Sequence, residues 1–166
     1  MSPAPHGGNP VSAAIPRLLV LGWGNLSRGD DALGPLCVAA LRDALPAHLV
    51  DQVEFLDDYQ LQIEFALDLV GRERILFIDA SLNCAEPFEL RTALPRRDST
   101  ISSHALSPEA LLQVFADLQG HAPPPATVLA IRGEAFELGE PMTRSAQAHL
   151  AAALAWASHW IQQSIE

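Results

Sequence analysis

Apolar runs alternate with helical patterns along the chain. Residues 17–22, RLLVLG, are an unbroken apolar run closed by glycine, which predicts a strand buried on both faces. Residues 30–45, DDALGPLCVAALRDAL, carry apolar residues at helical spacing, with Leu33, Leu36, Val38, Ala40 and Leu41 expected on the inner side. QVEFLD, 52–57, alternates apolar and polar positions as a half-buried or edge strand does. QLQIEFALDLVG, 60–71, reads as a second helix whose closing glycine suits a C-terminal cap. RILFIDA, 74–80, is a continuous apolar run ending in Asp, the mark of a central parallel strand. FELRTA, 88–93, is a short strand placed at an edge. SPEALLQVFADLQG, 107–120, opens a helix with Ser as N-cap and Pro in the first turn. TVLAIRG, 127–133, is a further buried strand, and residues 143–163 form a long alanine-rich closing helix.

The resulting order, βαβαβ(β)αβα, predicts a three-layer α/β/α fold. Its twisted, mostly parallel sheet has about five strands with a short edge strand. Sheets of this kind place their sites outside the carboxyl ends of the strands. The first strand runs there into GWGNLSRGDDALG, the third ends on Asp79, and the fourth is followed by STISSHALSPE. Asp30, Asp31, Asp79 and His104 are therefore expected to gather on one rim.

Composition narrows the function classes. The chain has 166 residues, 49% hydrophobic and 18% charged, which fits one packed domain over residues 17–166. Residues 1–16, rich in Pro, Gly and small side chains, read as a loose tail without the basic and apolar regions of a secretion signal. A net charge of −10 argues against nucleic acid and anionic membranes as partners. No apolar stretch reaches the roughly 20 residues of a membrane span. Two cysteines without CxxC spacing, Cys37 and Cys84, fit a reducing cytoplasm rather than a disulfide or zinc framework.

The stretch from Gly22 to Gly34 has competing readings. Its glycines are spaced GxGxxxxG, not GxGxxG, and two aspartates stand where a phosphate would meet the helix N-terminus. No GK[ST] follows, so a P-loop is excluded. Asp30 is expected to cap the first helix, stabilising it by about 0.5–2 kcal/mol. Asp31 shares its rim with Asp79 and an imidazole, for which capping is an insufficient account. There is no GxSxG elbow beside Ser102 and Ser103, and Cys37 falls inside the first helix. Two carboxylates and an imidazole suit a divalent metal such as nickel, zinc, copper or iron, with positions left open for water or a partner's ligands. His121, His149 and His159 lack acidic company, and Trp156 and Trp160, four apart on the last helix, read as packing.

The blocks LVLGWGNLSRGDDALGP, FIDAS, SSHALSP and IRGEAFELGEPMT, in that order, resemble those of the hydrogenase maturation proteases over about residues 17–163. These endopeptidases trim the C-terminus of the large subunit of [NiFe] hydrogenases. DDYQLQIEFALDL is similar to the branch serving cytoplasmic, NAD-linked hydrogenases. The resemblance implies that Asp31, where many relatives have Glu, together with Asp79 and His104, contacts nickel already inserted in the precursor. The nickel then comes with the substrate, no organic cofactor is needed, the partner is the large-subunit precursor of a [NiFe] hydrogenase, and the chain itself is expected to be a monomer. Asp31, Asp79 and His104 are also the candidates for the catalytic step, with Asp31 or Asp79 as general base. Gly22, Gly24 and Asn25 are the candidate substrate contacts, glycine allowing close backbone approach and Asn25 donating to an oxyanion. Glu134, Glu137 and Glu140 read as solvated loop acids, with contact to the precursor as their functional alternative. Two other readings stand beside it: a non-enzymatic flavodoxin-like module for a nucleotide or flavin, and a nickel chaperone that uses the same three residues and cuts nothing.

Overall fold

The structure is a computed structural model and describes residues 14–97 and 106–166. Most of the expected N-terminal tail lies outside these residues. Strand β1, Leu18–Trp23, is buried along its whole length. Its side chains alternate between two cores: Leu18 and Val20 join one, Leu19 and Leu21 the other. A strand covered on both sides must be apolar at every position, which is why its sequence shows no alternation.

Helix α1, Leu33–Ala44, leads to β2, Val53–Asp58, which pairs in parallel with β1 from Leu18↔Val53 onward. Strand β3, Arg74–Ser81, flanks β1 on the other side, also parallel. Strand β4, Phe88–Ala93, and helix α2, Pro108–Gln119, precede β5, Ala126–Arg132. Helix α3, Arg144–Ile165, closes the chain. The sheet order is β2-β1-β3-β5-β4, with β4 alone antiparallel. This is the expected mostly parallel sheet, with β2 and β4 at its edges.

One core lies under α1 and α3, where Cys37, Val38 and Leu41 meet Ala153, Ala157 and Ile161 over Val20, Ile78 and Leu129. The small residues of α3 let that helix come close to the sheet. Trp156 packs beside them, its ring 6.2 Å from that of Phe88. The other core joins Leu111, Leu112 and Phe115 of α2 to Leu19, Leu21 and Phe77. Helix α2 starts and stops where the sequence indicates: Ser107 accepts from Ala110 N–H, and Gly120 ends it at φ 75°.

Three expectations change. Residues 60–71 form no α-helix, only a 3₁₀ segment, Ile63–Leu67, followed by turns. Burial there is met by three anchors, Leu61, Ala66 and Leu69, while Ile63 and Leu67 face out. Arg72 holds the end of the segment by donating to the Asp68 and Pro16 carbonyls and the Glu54 carboxylate. These tertiary bonds override helical periodicity, although Gly71 closes the segment in the left-handed region as expected. The first helix likewise begins with a separate 3₁₀ turn, Gly29–Ala32, before α1 proper. Finally, Leu36 is exposed: the buried stripe of α1 runs through Leu33, Cys37, Val38 and Leu41, and Leu36 lies opposite it.

Candidate functional site

The start of α1 rests directly on the carboxyl ends of β1 and β3. A Cβ on Gly34 would lie 2.4 Å from the Trp23 carbonyl oxygen, and one on Gly22 would lie 2.8 Å from the Gly34 carbonyl oxygen. The glycine-rich stretch is thus a packing requirement. A bare backbone at both positions lets the helix start sit on the sheet edge and carries Asp31 to the rim where β3 ends on Asp79.

The two carboxylates line one open cleft of about 310 Å³, together with Trp23, Asn25, Arg28, Tyr59 and Phe136. Asp31 Oδ2 accepts the Asn25 backbone N–H at 2.9 Å. Asp79 Oδ1 accepts the N–H of Ala80 at 2.8 Å. Burial pushes the Asp79 carboxyl up to about 7, and the charge of Asp31 adds to the effect. The Ala80 N–H, Arg91 and the Trp23 indole pull the other way without cancelling it. Such a cleft suits an incoming cation.

His104 lies outside the described residues, so its meeting with the two acids is not part of this geometry. Among the described residues no group of three or more His, Cys, Asp or Glu side chains is placed to hold a metal ion. The chain re-emerges at Leu106 and enters α2, whose Glu109 forms a two-pronged pair with Arg91 at 2.9 and 3.3 Å. That is the same Arg91 whose charge acts on Asp79.

Asp30 does something the sequence reading missed. It is fully buried and does not cap α1, whose N-terminus has no side-chain cap. Its carboxylate instead accepts the N–H groups of Glu134, Ala135 and Thr143, at 2.8, 3.2 and 2.7 Å, and the Thr143 hydroxyl at 2.8 Å. Burial alone would raise its pKa, but these donors hold it below the usual carboxylate range. The loop after β5 is thereby fastened to the loop after β1. Further bonds run from Gly29 N–H to the Glu140 carbonyl, Gly139 N–H to the Ser27 carbonyl and Arg28 Nε to the Phe136 carbonyl. Arg28 and Phe136, two walls of the cleft, are positioned by this knot. The sequence offered only an Asp-Asp doublet, with no sign that its first acid turns inward.

The other candidates find defined places. Gly24 lines the cleft, and a Cβ there would lie 2.0 Å from the Asp31 carbonyl oxygen. Asn25 spans the turn: its Oδ1 accepts the Ser27 N–H and its Nδ2 donates to Tyr59 Oη. Glu134, Glu137 and Glu140 are exposed. His149 bonds the Arg132 carbonyl, and His121 stacks edge-on against Phe115, both structural roles. Cys37 is buried, its thiol pushed up to about 12 by desolvation, and both cysteines are free. Among the described residues no helix is long and apolar enough to cross a membrane.

No family model matches the chain, and no curated protein does. Solved structures do. The hydrogenase maturating endopeptidase HybD of E. coli superposes with a TM-score of 0.71 at 25% identity, over 89% of this chain and 93% of that one. The [NiFe] hydrogenase maturation protease HycI of Thermococcus kodakarensis gives 0.69 at 18% identity, over 88% and 92%. A hydrogenase 2 maturation peptidase from a Thaumarchaeota archaeon gives 0.61 at 22%, over 87% and 97%. The last two attest the fold.

Proposed function

We propose, from this shared fold and the ordered sequence blocks, that the chain belongs to the hydrogenase maturation proteases and is a peptide-bond hydrolase. Its substrate is the large-subunit precursor of a [NiFe] hydrogenase, from which it removes a C-terminal extension. The observation that carries the reading is the meeting of Asp31 and Asp79 in one cleft at the carboxyl edge of β1 and β3. A buried Asp79 with a second carboxylate in the same cleft forms a site that rewards an arriving cation.

The cation is nickel, and it belongs to the precursor. Asp31, Asp79 and His104 complete its coordination when the precursor docks, so that a metal-free precursor binds too weakly to be cut. One of the two carboxylates, Asp31 or Asp79, is the general base that takes a proton from the attacking water. Asn25 and the backbone at Gly24 face the scissile carbonyl, with the Asn25 amide donating to the developing oxyanion. Gly22 acts behind them by letting α1 pack closely. The setting is the cytoplasm, in keeping with two free thiols.

The test is mass spectrometry of nickel-loaded and nickel-free precursor before and after incubation with the protein. A C-terminal peptide is expected to be lost from the loaded form only. Cleavage of both forms at equal rates would remove nickel from the recognition step, and cleavage of neither would remove the function. In the same assay His104→Ala is expected to leave the protein folded and the loaded precursor uncut.

A further inference from the structure

The catalytic cleft has a neighbour. A second cleft of about 320 Å³ lies beside it, lined by Leu26, Pro35 and Asp57 among others. The two share Gly24, Asn25 and Tyr59. Their common wall is the exposed hydrogen bond from Asn25 Nδ2 to Tyr59 Oη at 2.9 Å.

Every other polar atom of Asn25 is committed. Its backbone N–H donates to Asp31 Oδ2, and its Oδ1 accepts the Ser27 N–H at 2.8 Å. Because Ser27 supplies a donor, the amide has one orientation, with nitrogen toward Tyr59. An amide nitrogen carries two N–H groups, and Tyr59 takes one. Among the described residues the other has no partner, and Asn25 itself lines the cleft that holds Asp31 and Asp79. Tyr59 is itself anchored by its backbone N–H, which donates to Asp58 Oδ1, while the Asp58 carbonyl accepts from Gly24. The ring is otherwise 64% exposed and supports no core.

We propose that Tyr59 is a positioning residue: by holding one N–H of Asn25 it aims the other at the carbonyl of the peptide being cut, while its ring separates the two stretches of groove that flank the cut. The inference rests on the protease reading given above. An aimed donor is worth more in the transition state than in the ground state, so its loss lowers kcat more than it raises KM.

Tyr59→Phe removes the hydroxyl and keeps the ring. Its melting temperature is expected to equal that of the wild type. On nickel-loaded precursor kcat is expected to fall about fivefold, the scale of one neutral hydrogen bond, with KM within about twofold. The deciding measurement is the double variant. With Asn25→Ala in place, Tyr59→Phe is expected to cost nothing further, because the group it aims is gone. Asn25→Asp, which keeps the acceptor for Ser27 N–H, repeats the cycle should Asn25→Ala unfold. Tyr59→Phe at wild-type kcat, or an equal loss in both backgrounds, overturns the inference while wild-type cleavage leaves the protease reading standing. Failure of the wild type to cut overturns both.

Discussion

Asp79→Asn separates the cost of the site from its use. The Asp79 carboxyl is displaced from the usual 3.8 to about 7, first by burial, with the charge of Asp31 adding to the displacement. The native state therefore holds this proton more tightly than the unfolded chain does. The stability so gained is complete below about pH 4 and is lost as pH rises through 7. At 1.36 kcal/mol per pH unit of displacement the loss amounts to roughly 4 kcal/mol above pH 7. The group is only partly buried, so screening and relaxation reduce this to about 2 kcal/mol. Asparagine keeps an acceptor for the Ala80 N–H and never ionises. The variant is therefore expected to melt about 4–8 °C higher than wild type at pH 8, for a domain of this size. The gap should shrink steadily through pH 6 and 5 and vanish near pH 4. The same protein should fail to process loaded precursor. Thermal unfolding followed by circular dichroism across this range is the assay. A variant less stable than wild type at pH 8, or a gap unchanged between pH 8 and pH 4, would refute the claim that Asp79 is held in an unfavourable charged state.

Asp30→Asn should behave in the opposite sense, losing about 3–5 kcal/mol at neutral pH because four donors then converge on one amide oxygen, with urea unfolding as the measure. In wild type the contribution of Asp30, whose pKa is lowered, is present above the ordinary carboxylate range and is lost on acidification below about pH 4. Gly34→Ala should cost about 2 kcal/mol or more, since its methyl meets the Trp23 and Ile78 carbonyls, and processing should fall as Asp31 is displaced. Leu41→Ala should lose about 2–5 kcal/mol, whereas Leu36→Ala on the exposed side of α1 should stay within about 0.5 kcal/mol; equal losses would refute the assigned stripe.

Most of the sheet was legible because burial on both faces leaves one solution. Runs such as LLVLG and ILFI have no polar side chain to offer solvent, so they mark central strands. A hydroxyl cap and a left-handed glycine likewise act within a few residues, and Ser107 and Gly120 bound α2 where the sequence places them. What failed depends on residues distant in the chain. Arg72, bonded to Pro16 and Glu54, shortened the expected helix at 60–71. The partners of Asp30 are more than a hundred residues away. For the site, the sheet-edge rule brought Asp31 and Asp79 together correctly, whereas no local pattern marks Tyr59 as a neighbour of Asn25.

Asp30 and Asp79 together show why burial alone is a poor guide to which acid is functional. Asp30 is the more deeply buried, yet it is the one held ionised. Four donors converge on its carboxylate, which leaves nothing for a ligand to add, and the group serves as a fixed anionic anchor between two loops. Asp79 has the Ala80 N–H, the Trp23 indole and the charge of Arg91 in its favour, and these do not offset its desolvation and the neighbouring charge of Asp31. Its ionised form is under-satisfied, so whatever brings positive charge, a cation or a proton, gains free energy there. The two environments are linked through the chain itself, because Asp30 fixes the turn from which Asp31 projects. A site of this kind persists only if the surrounding loops resist relaxing away from the repulsion. The anchored acid supplies that resistance, and so the residue with no direct part in the chemistry is the reason the strained pair stays poised.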